Sequence, residues 1–209
     1  MNMKILNNLL VLLFLTVCTS GYSQDDVEKN IGDARMAYTS KNLQDARFAL
    51  QQTLQALDVV IGQEILKILP TELNQFTFIE RQDYVMGNAG GMTGLNVTRY
   101  YLDKTDSSKT LNINIINNSP LLATINAFMT NPLFMNSSNG TQKVVRVAGY
   151  KAMLNKKMND NILTGYELQI PFGQSLMSYT CEGVTKEPDM IALAEKVDIK
   201  KIVALAGGN

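Results

Sequence analysis

Leu43, Ala46, Leu50, Leu54, Leu57, Ile61, Ile65 and Ile68 follow one another at intervals of three or four residues. That spacing places them on one stripe of a long helix. Asn42 suits the N-cap just before it, and Pro70 supplies the stop. Gly62 sits inside the pattern, where it costs about 1 kcal/mol relative to alanine and marks a point where the helix can bend. Ahead of this segment Val27, Ile31, Ala34 and Tyr38 show the same period. They predict a first helix, separated from the second by "SKN". A stripe of this kind needs a surface to lie on, because burying large aliphatic side chains is its main source of stability.

From Leu73 the period changes to two. "NQFTFIE", "DYVM", "LNVTRYYLD" (95–103) and "KTLNINIIN" (109–117) read as strands. In the last of these, Leu111, Ile113 and Ile115 alternate with Asn112 and Asn114, the pattern of a strand buried on one face. "NSPLLATINAFMTNP" returns to helical spacing. Ser119 can cap, Pro120 suits the first turn, and Leu121, Leu122, Ile125 and Met129 form the stripe before Pro132. Further strands follow in "KVVRVAG", "YKAMLNK", "ILTGYELQI" and "QSLMSYTCEG", the last two joined at "PFG". "NKKMND" reads as a solvated hairpin tip. Two short helices, "PDMIALAEKV" and "DIKKIVALA", close the chain. The expectation is an α+β fold: an N-terminal helical hairpin packed with an antiparallel β-sheet, one inserted helix and C-terminal helices. The hairpin is similar to a single tetratricopeptide-like unit, but no second copy follows, which excludes a repeat array.

The first 23 residues stand apart. A basic start at Lys4, an apolar run from Leu9 to Val17 and small residues before Gln24 have the form of a secretory signal peptide. The apolar run is too short to span a bilayer. The expected organisation is therefore a leader at 1–23, a helical hairpin at 24–70 and a sheet domain at 71–209. The Ser23–Gln24 junction resembles the export signals of Bacteroidetes-type bacteria, and the expected location is the periplasm. "LTVC" is similar to a lipoprotein box, although Val17 stands where such boxes carry a small residue. Membrane contact is expected only if Cys18 is lipidated.

Composition closes several routes. The 209-residue chain carries 19 basic and 19 acidic residues, so loss of Lys4 with the leader leaves 18 against 19. Without a basic excess, nucleic acid is not an expected partner. There is no histidine. That removes Cys-His pairs, Ser-His-Asp triads and the common catalytic zinc sets, and no cofactor is expected. Cys181 is the one cysteine beyond the leader, so no internal disulfide can form there. It shares a strand face with Met177 and Tyr179 and reads as a buried structural residue.

"GNAGGMTG" (87–94) has the glycine density of a phosphate loop but lacks its lysine, and a strand rather than a helix follows it. It reads as a hairpin loop. What remains is apolar. Phe128 and Met129 end the inserted helix, and Leu133, Phe134 and Met135 follow in a loop otherwise made of Asn, Ser and Gly. These five residues are the candidate site for an unknown protein partner or a small apolar ligand. Flexible methionine-rich surfaces suit adaptable binding. Burial of Phe134 as a core anchor is the competing reading.

"ARFALQQTLQALDVVIGQEILKILP", "NSPLLATINAFMTNPLF", "VRVAGYKAML", "EGV" and "ALAEKVDIKKI" together resemble a family of uncharacterised exported bacterial proteins. The resemblance covers most of the chain beyond the leader. It implies no activity and assigns no residue a role. The order of elements is also similar to PsbP-like α+β folds, an analogy of architecture alone. The functional expectation is an exported non-catalytic binding protein. The alternative is a histidine-independent hydrolase that uses carboxylates or a Ser/Lys pair.

Overall fold

The structure is a computed structural model that describes residues 22–87, 94–130 and 140–207. Its class is α+β, with an N-terminal helical hairpin and an antiparallel sheet. The chain divides into two compact units, the first ending at Ala56 and the second beginning at Leu57.

The first unit contains helix α1 (Tyr22–Thr39) and the start of helix α2 (Leu43–Ile68). As expected, Asn42 caps α2: its side-chain oxygen accepts from the Asp45 backbone N–H at 3.3 Å, and its amide donates to the Asp45 carboxylate at 2.5 Å. Burial differs from the expectation. Ala34, Ala46 and Ala49 are buried, whereas Ile31, Tyr38, Leu43, Leu50 and Leu54 are exposed. The small residues let the two helices approach, and the leucine row points away from that contact.

In the second unit the remainder of α2 does bury its stripe. Ile65 and Leu69 are inside, and Ile61 and Ile68 are half-buried, while Leu57 stays exposed. Nine strands are described: β1 (Glu72–Leu73), β2 (Phe76–Phe78), β3 (Tyr84–Met86), β4 (Asn96–Asp103), β5 (Thr110–Asn117), β6 (Gln142–Val147), β7 (Tyr150–Asn159), β8 (Ile162–Phe172) and β9 (Ser175–Glu182). They form one antiparallel sheet in the order β1-β2-β4-β5-β9-β8-β7-β6, with β3 also on β4. Helix α3 (Leu122–Thr130) lies between β5 and β6, and α4 (Glu187–Ala194) and α5 (Ile199–Leu205) close the chain.

β2 and β3 share one edge of β4. Between the pairs Phe78↔Tyr101 and Tyr84↔Thr98 the chain advances six residues on one side against three on the other. The surplus forms a 3-10 turn at Glu80–Gln82, which separates the two strands read at "NQFTFIE" and "DYVM". Met86 pairs with Asn96. The glycine run therefore connects two neighbouring antiparallel strands, as expected of a hairpin loop; residues 88–93 lie outside the described residues.

The hairpin tips differ slightly from their sequence reading. "NKKMND" is mostly strand, and the turn falls at Asp160–Asn161, both at positive φ (49° and 64°). That geometry matches the twist of the flanking strands, and Asp and Asn tolerate it better than other non-glycine residues. Lys157 faces Gly165 on β8 and pairs with Glu182. "PFG" likewise contributes Pro171 and Phe172 to β8, and the turn is Gly173–Gln174.

Alternation divides the sheet into two faces. On one, Val97, Leu111, Ile113, Ile115, Leu168, Ile170, Met177 and Tyr179 are wholly buried under the second part of α2, α4 and α5, in one continuous core. Gly62 is what brings α2 down onto this face. A Cβ there would lie 2.4 Å from Val85 Cγ1 and 2.9 Å from Leu95 Cδ1. The glycine is a contact point between α2 and the sheet.

Arg99 also points to this face, with its side chain 7% exposed. Its Nε and one terminal nitrogen bond both oxygens of Asp83 at 2.9 and 2.5 Å, while the other nitrogen donates to the Leu69 carbonyl at 2.6 Å. The guanidinium lies 4.8 Å from the centre of the Phe78 ring. Beside it, the Tyr101 hydroxyl donates to the Pro70 carbonyl at 2.9 Å.

Three outcomes follow for urea unfolding. Gly62→Ala lowers stability by about 1–3 kcal/mol through overpacking, outweighing the helix-propensity gain of about 1 kcal/mol. Asp83→Ala lowers it by about 3–5 kcal/mol by stranding a buried cation. Lys104→Ala, which removes the exposed Lys104–Glu72 pair, costs less than about 1 kcal/mol.

Candidate functional site

The second face of the sheet is polar. Pairing brings one side chain from each of six strands into a row: Tyr100 on β4, Asn112 on β5, Thr180 on β9, Glu167 on β8, Asn155 on β7 and Gln142 on β6. A parallel row runs Thr98, Asn114, Ser178 and Gln169, ending at Met153. Apart from Glu167 and Met153 these groups are uncharged amides and hydroxyls. They hydrogen-bond along the sheet: Asn114 Nδ2 donates to Asn96 Oδ1 at 2.8 Å and to Thr98 Oγ1 at 2.6 Å. Gln169 donates to Glu167 at 2.9 Å, and Asn155 donates to the same carboxylate at 3.2 Å. Asn112 and Asn155 each keep a buried side-chain oxygen without a hydrogen-bond partner. Such oxygens favour an added donor, because burial without a bond is costly.

Helix α3 lies on one end of this face, against β7 and β8. Its route follows from topology: the chain leaves β5 and must cross three strands to start β6 at the far edge. Ile125 of α3 packs with Met153 and Leu176 in a small apolar cluster separate from the main core, with Leu122, Phe128 and Met129 partly buried around it. The helix carries no charged residue, and Leu121 just before it is 52% exposed.

Of the five candidate residues, Phe128 and Met129 are therefore half-buried at the α3 end of the polar face. Leu133, Phe134 and Met135 lie outside the described residues. The amide and hydroxyl rows were not among the candidates. Their alternation is readable strand by strand, in "LNINI", "YELQI" and "SLMSYT", but the strand order that aligns them is not.

The remaining chemistry on the described residues is sparse. Cys181 is fully buried, and burial pushes its thiol up to about 12, far from the thiolate that nucleophilic chemistry needs. Burial likewise raises the phenols of Tyr101 and Tyr179. Asp103 is held below the usual carboxylate range by bonds from the backbone and hydroxyl of Thr105, both at 2.8 Å, which fold the β4–β5 turn. Ser175 is buried and donates to Asn117 at 2.7 Å. A depression of about 370 Å³ beside it has no ionisable side chain in its lining, and one of about 240 Å³ beside Val184 has Lys186 and Asp189 alone. Among the described residues no three acidic or cysteine side chains gather as a metal site, and no helix is long and apolar enough to cross a membrane.

The state of Cys181 has a direct readout. An aromatic disulfide reagent at mildly alkaline pH leaves the folded protein unlabelled and reacts at once after denaturation; labelling in the folded state at the denatured rate would contradict this burial.

Compared with family models, curated proteins and solved structures, the chain matches none.

Proposed function

We propose that this chain is an exported, non-catalytic binding protein of the periplasm that takes an apolar ligand, or the apolar side chains of a protein partner, at α3. The observation that carries this reading is the helix itself. It is uncharged, packs its Ile125 with Met153 and Leu176 apart from the main core, and leaves Phe128 and Met129 half-buried on the sheet face that carries the amide and hydroxyl rows. A ligand seated there meets aliphatic and aromatic surface at one end and neutral amides at the other. Nothing in that environment favours a strongly charged ligand. Export rests on the form of residues 1–23, and nucleic acid is excluded from the reading by the charge balance.

The hydrolase reading retains one specific support. Glu167 and Glu182 stand on neighbouring strands of the same face, diagonal to one another across the pairs Glu167↔Thr180 and Gly165↔Glu182. Paired carboxylates are the minimum for glycoside hydrolysis. Against it, Glu182 is engaged by Lys157 and Glu167 accepts from Gln169 and Asn155. Those contacts are what a structural network on a sheet requires.

Titration with an uncharged apolar fluorescent dye, N-phenyl-1-naphthylamine, separates the two readings. The expected result is saturable binding, weakened at least about tenfold by Phe128→Ser together with Met129→Ser. Ile162→Ser, which alters an exposed residue at the β7–β8 tip, leaves it unchanged. Equal binding by all three proteins removes the α3 site. Turnover of an ester or glycoside substrate that disappears in Glu167→Gln decides for the hydrolase.

A further inference from the structure

The polar face of the sheet is engaged at its two sides and open between them. On β4 and β5, Asn114 bonds Asn96 and Thr98; on β7 and β8, Asn155 and Gln169 bond Glu167. Between these networks stand Tyr100, Asn112, Thr180 and Ser178. None of the four makes a side-chain hydrogen bond within the protein, and the Asn112 oxygen is buried without a partner. Water reaches the hydroxyls. The Asn112 oxygen is closed to it and is satisfied only if the amide turns toward an incoming donor.

Asn112 pairs with Tyr100 on one side and with Thr180 on the other, and Ser178 is the next residue of β9 on the same face. Directly paired residues of neighbouring strands lie about 5 Å apart, and alternate residues of one strand about 7 Å. The four side chains therefore form a patch of about 10 Å by 7 Å. Tyr100 is 40% exposed and the other three are half-buried, so the patch is reached from the polar side of the sheet. It offers three hydroxyls, each able to donate and accept, one amide that does both, and one aromatic ring.

We propose that this patch binds a neutral saccharide, at a site independent of whatever α3 holds. A pyranose carries hydroxyls that donate and accept around its rim, and a C–H face that packs on an aromatic ring such as that of Tyr100. One or two such rings cover the patch. Charge narrows the class. Glu167, paired with Thr180, stands at the edge of the patch as an anion, and Lys157 on the same face is held by Glu182. A carboxylated or phosphorylated ligand meets repulsion there, with no cation placed to receive it. A protein surface fits less well, because interfaces are organised around several apolar or aromatic anchors and the patch has one ring.

Native-gel affinity electrophoresis of the full protein tests the proposal, with gels cast in xyloglucan, galactomannan, laminarin, glycogen or the anionic polygalacturonate. At least one neutral polymer is expected to retard the wild type, and polygalacturonate to leave its mobility unchanged. Tyr100→Ala with Asn112→Ala weakens the binding at least about tenfold. Thr180→Val, which keeps the shape of the side chain and removes its hydroxyl, weakens it about three- to tenfold. Cys181 lies on the opposite face of β9, so its protection from the disulfide reagent shows that each variant is folded; Thr180→Val decides where the double variant exposes it. Tyr38→Ala, at an exposed tyrosine of the first unit, leaves the retardation unchanged. A wild type that no neutral polymer retards overturns the proposal, as does retardation that persists undiminished in folded patch variants. Equal or stronger retardation by polygalacturonate overturns the neutral class.

Discussion

A guanidinium buried beneath the end of a helix is the constraint on which the second unit turns. The carbonyls just past the end of α2 find no partner in the helix and turn into the protein rather than to water. Arg99 and Tyr101, two residues apart on β4 and facing the same way, donate to the carbonyls of Leu69 and Pro70. A cation is favoured at that end of a helix by the helix dipole. Burial works against the charge of Arg99, but the hydrogen-bonded carboxylate of Asp83 outweighs it, so the group stays firmly protonated. Asp83 comes from the loop between the 3-10 turn and β3, and Phe78, under the guanidinium, from β2. One side chain thereby fixes the helix end, the interrupted edge of the sheet and β4 against each other. A buried pair of this kind adds less to net stability than its geometry suggests, since both charges lose water. What it supplies is a single way for those segments to fit.

With that corner set, the two faces of the sheet diverge in chemistry. The covered face is aliphatic and aromatic and encloses the Cys181 thiol. The other carries amides and hydroxyls whose bonds run along the sheet, with α3 across one end. Ionisable groups in the unit are spent on turns, on the helix end and on surface pairs. Glu167 on that face accepts from the amides of Gln169 and Asn155, and Glu182 pairs with Lys157.

The first unit inverts the usual order of burial, and the reason is local. Alanines at 34, 46 and 49 allow the helices to approach closely, which turns the leucines a quarter of the way round α2. A helix stripe states which residues seek cover, not which surface provides it. Val27 and Tyr38 illustrate the same point: they share a helical period with Ala34, yet Ala34 alone of the three is fully buried.

Much of this architecture was legible in residue order, because it depends on local chemistry. Alternation in "LNINI" placed Leu111, Ile113 and Ile115 inside, as strand geometry demands whatever the partners. Asn42 and Pro70 bounded α2 because a side-chain oxygen and a missing N–H act within one turn. The missing lysine after Gly94 argued for a loop, and the flanking strands do pair. Phe128 and Met129 could be singled out as apolar residues at a helix end, but not placed beside a polar row. That row joins residues from six strands through pairings such as Asn112 with Thr180, and no local preference specifies them. Gly62 changed meaning in the same way, from a weak point in a helix to the contact that admits Val85 and Leu95. Arg99 sat at an inward position of a recognisable strand, but its partner sixteen residues earlier became a partner only when β3 folded onto β4. Periodicity and capping act over a few residues and are written in the chain; which surfaces meet is decided by the packing of distant segments.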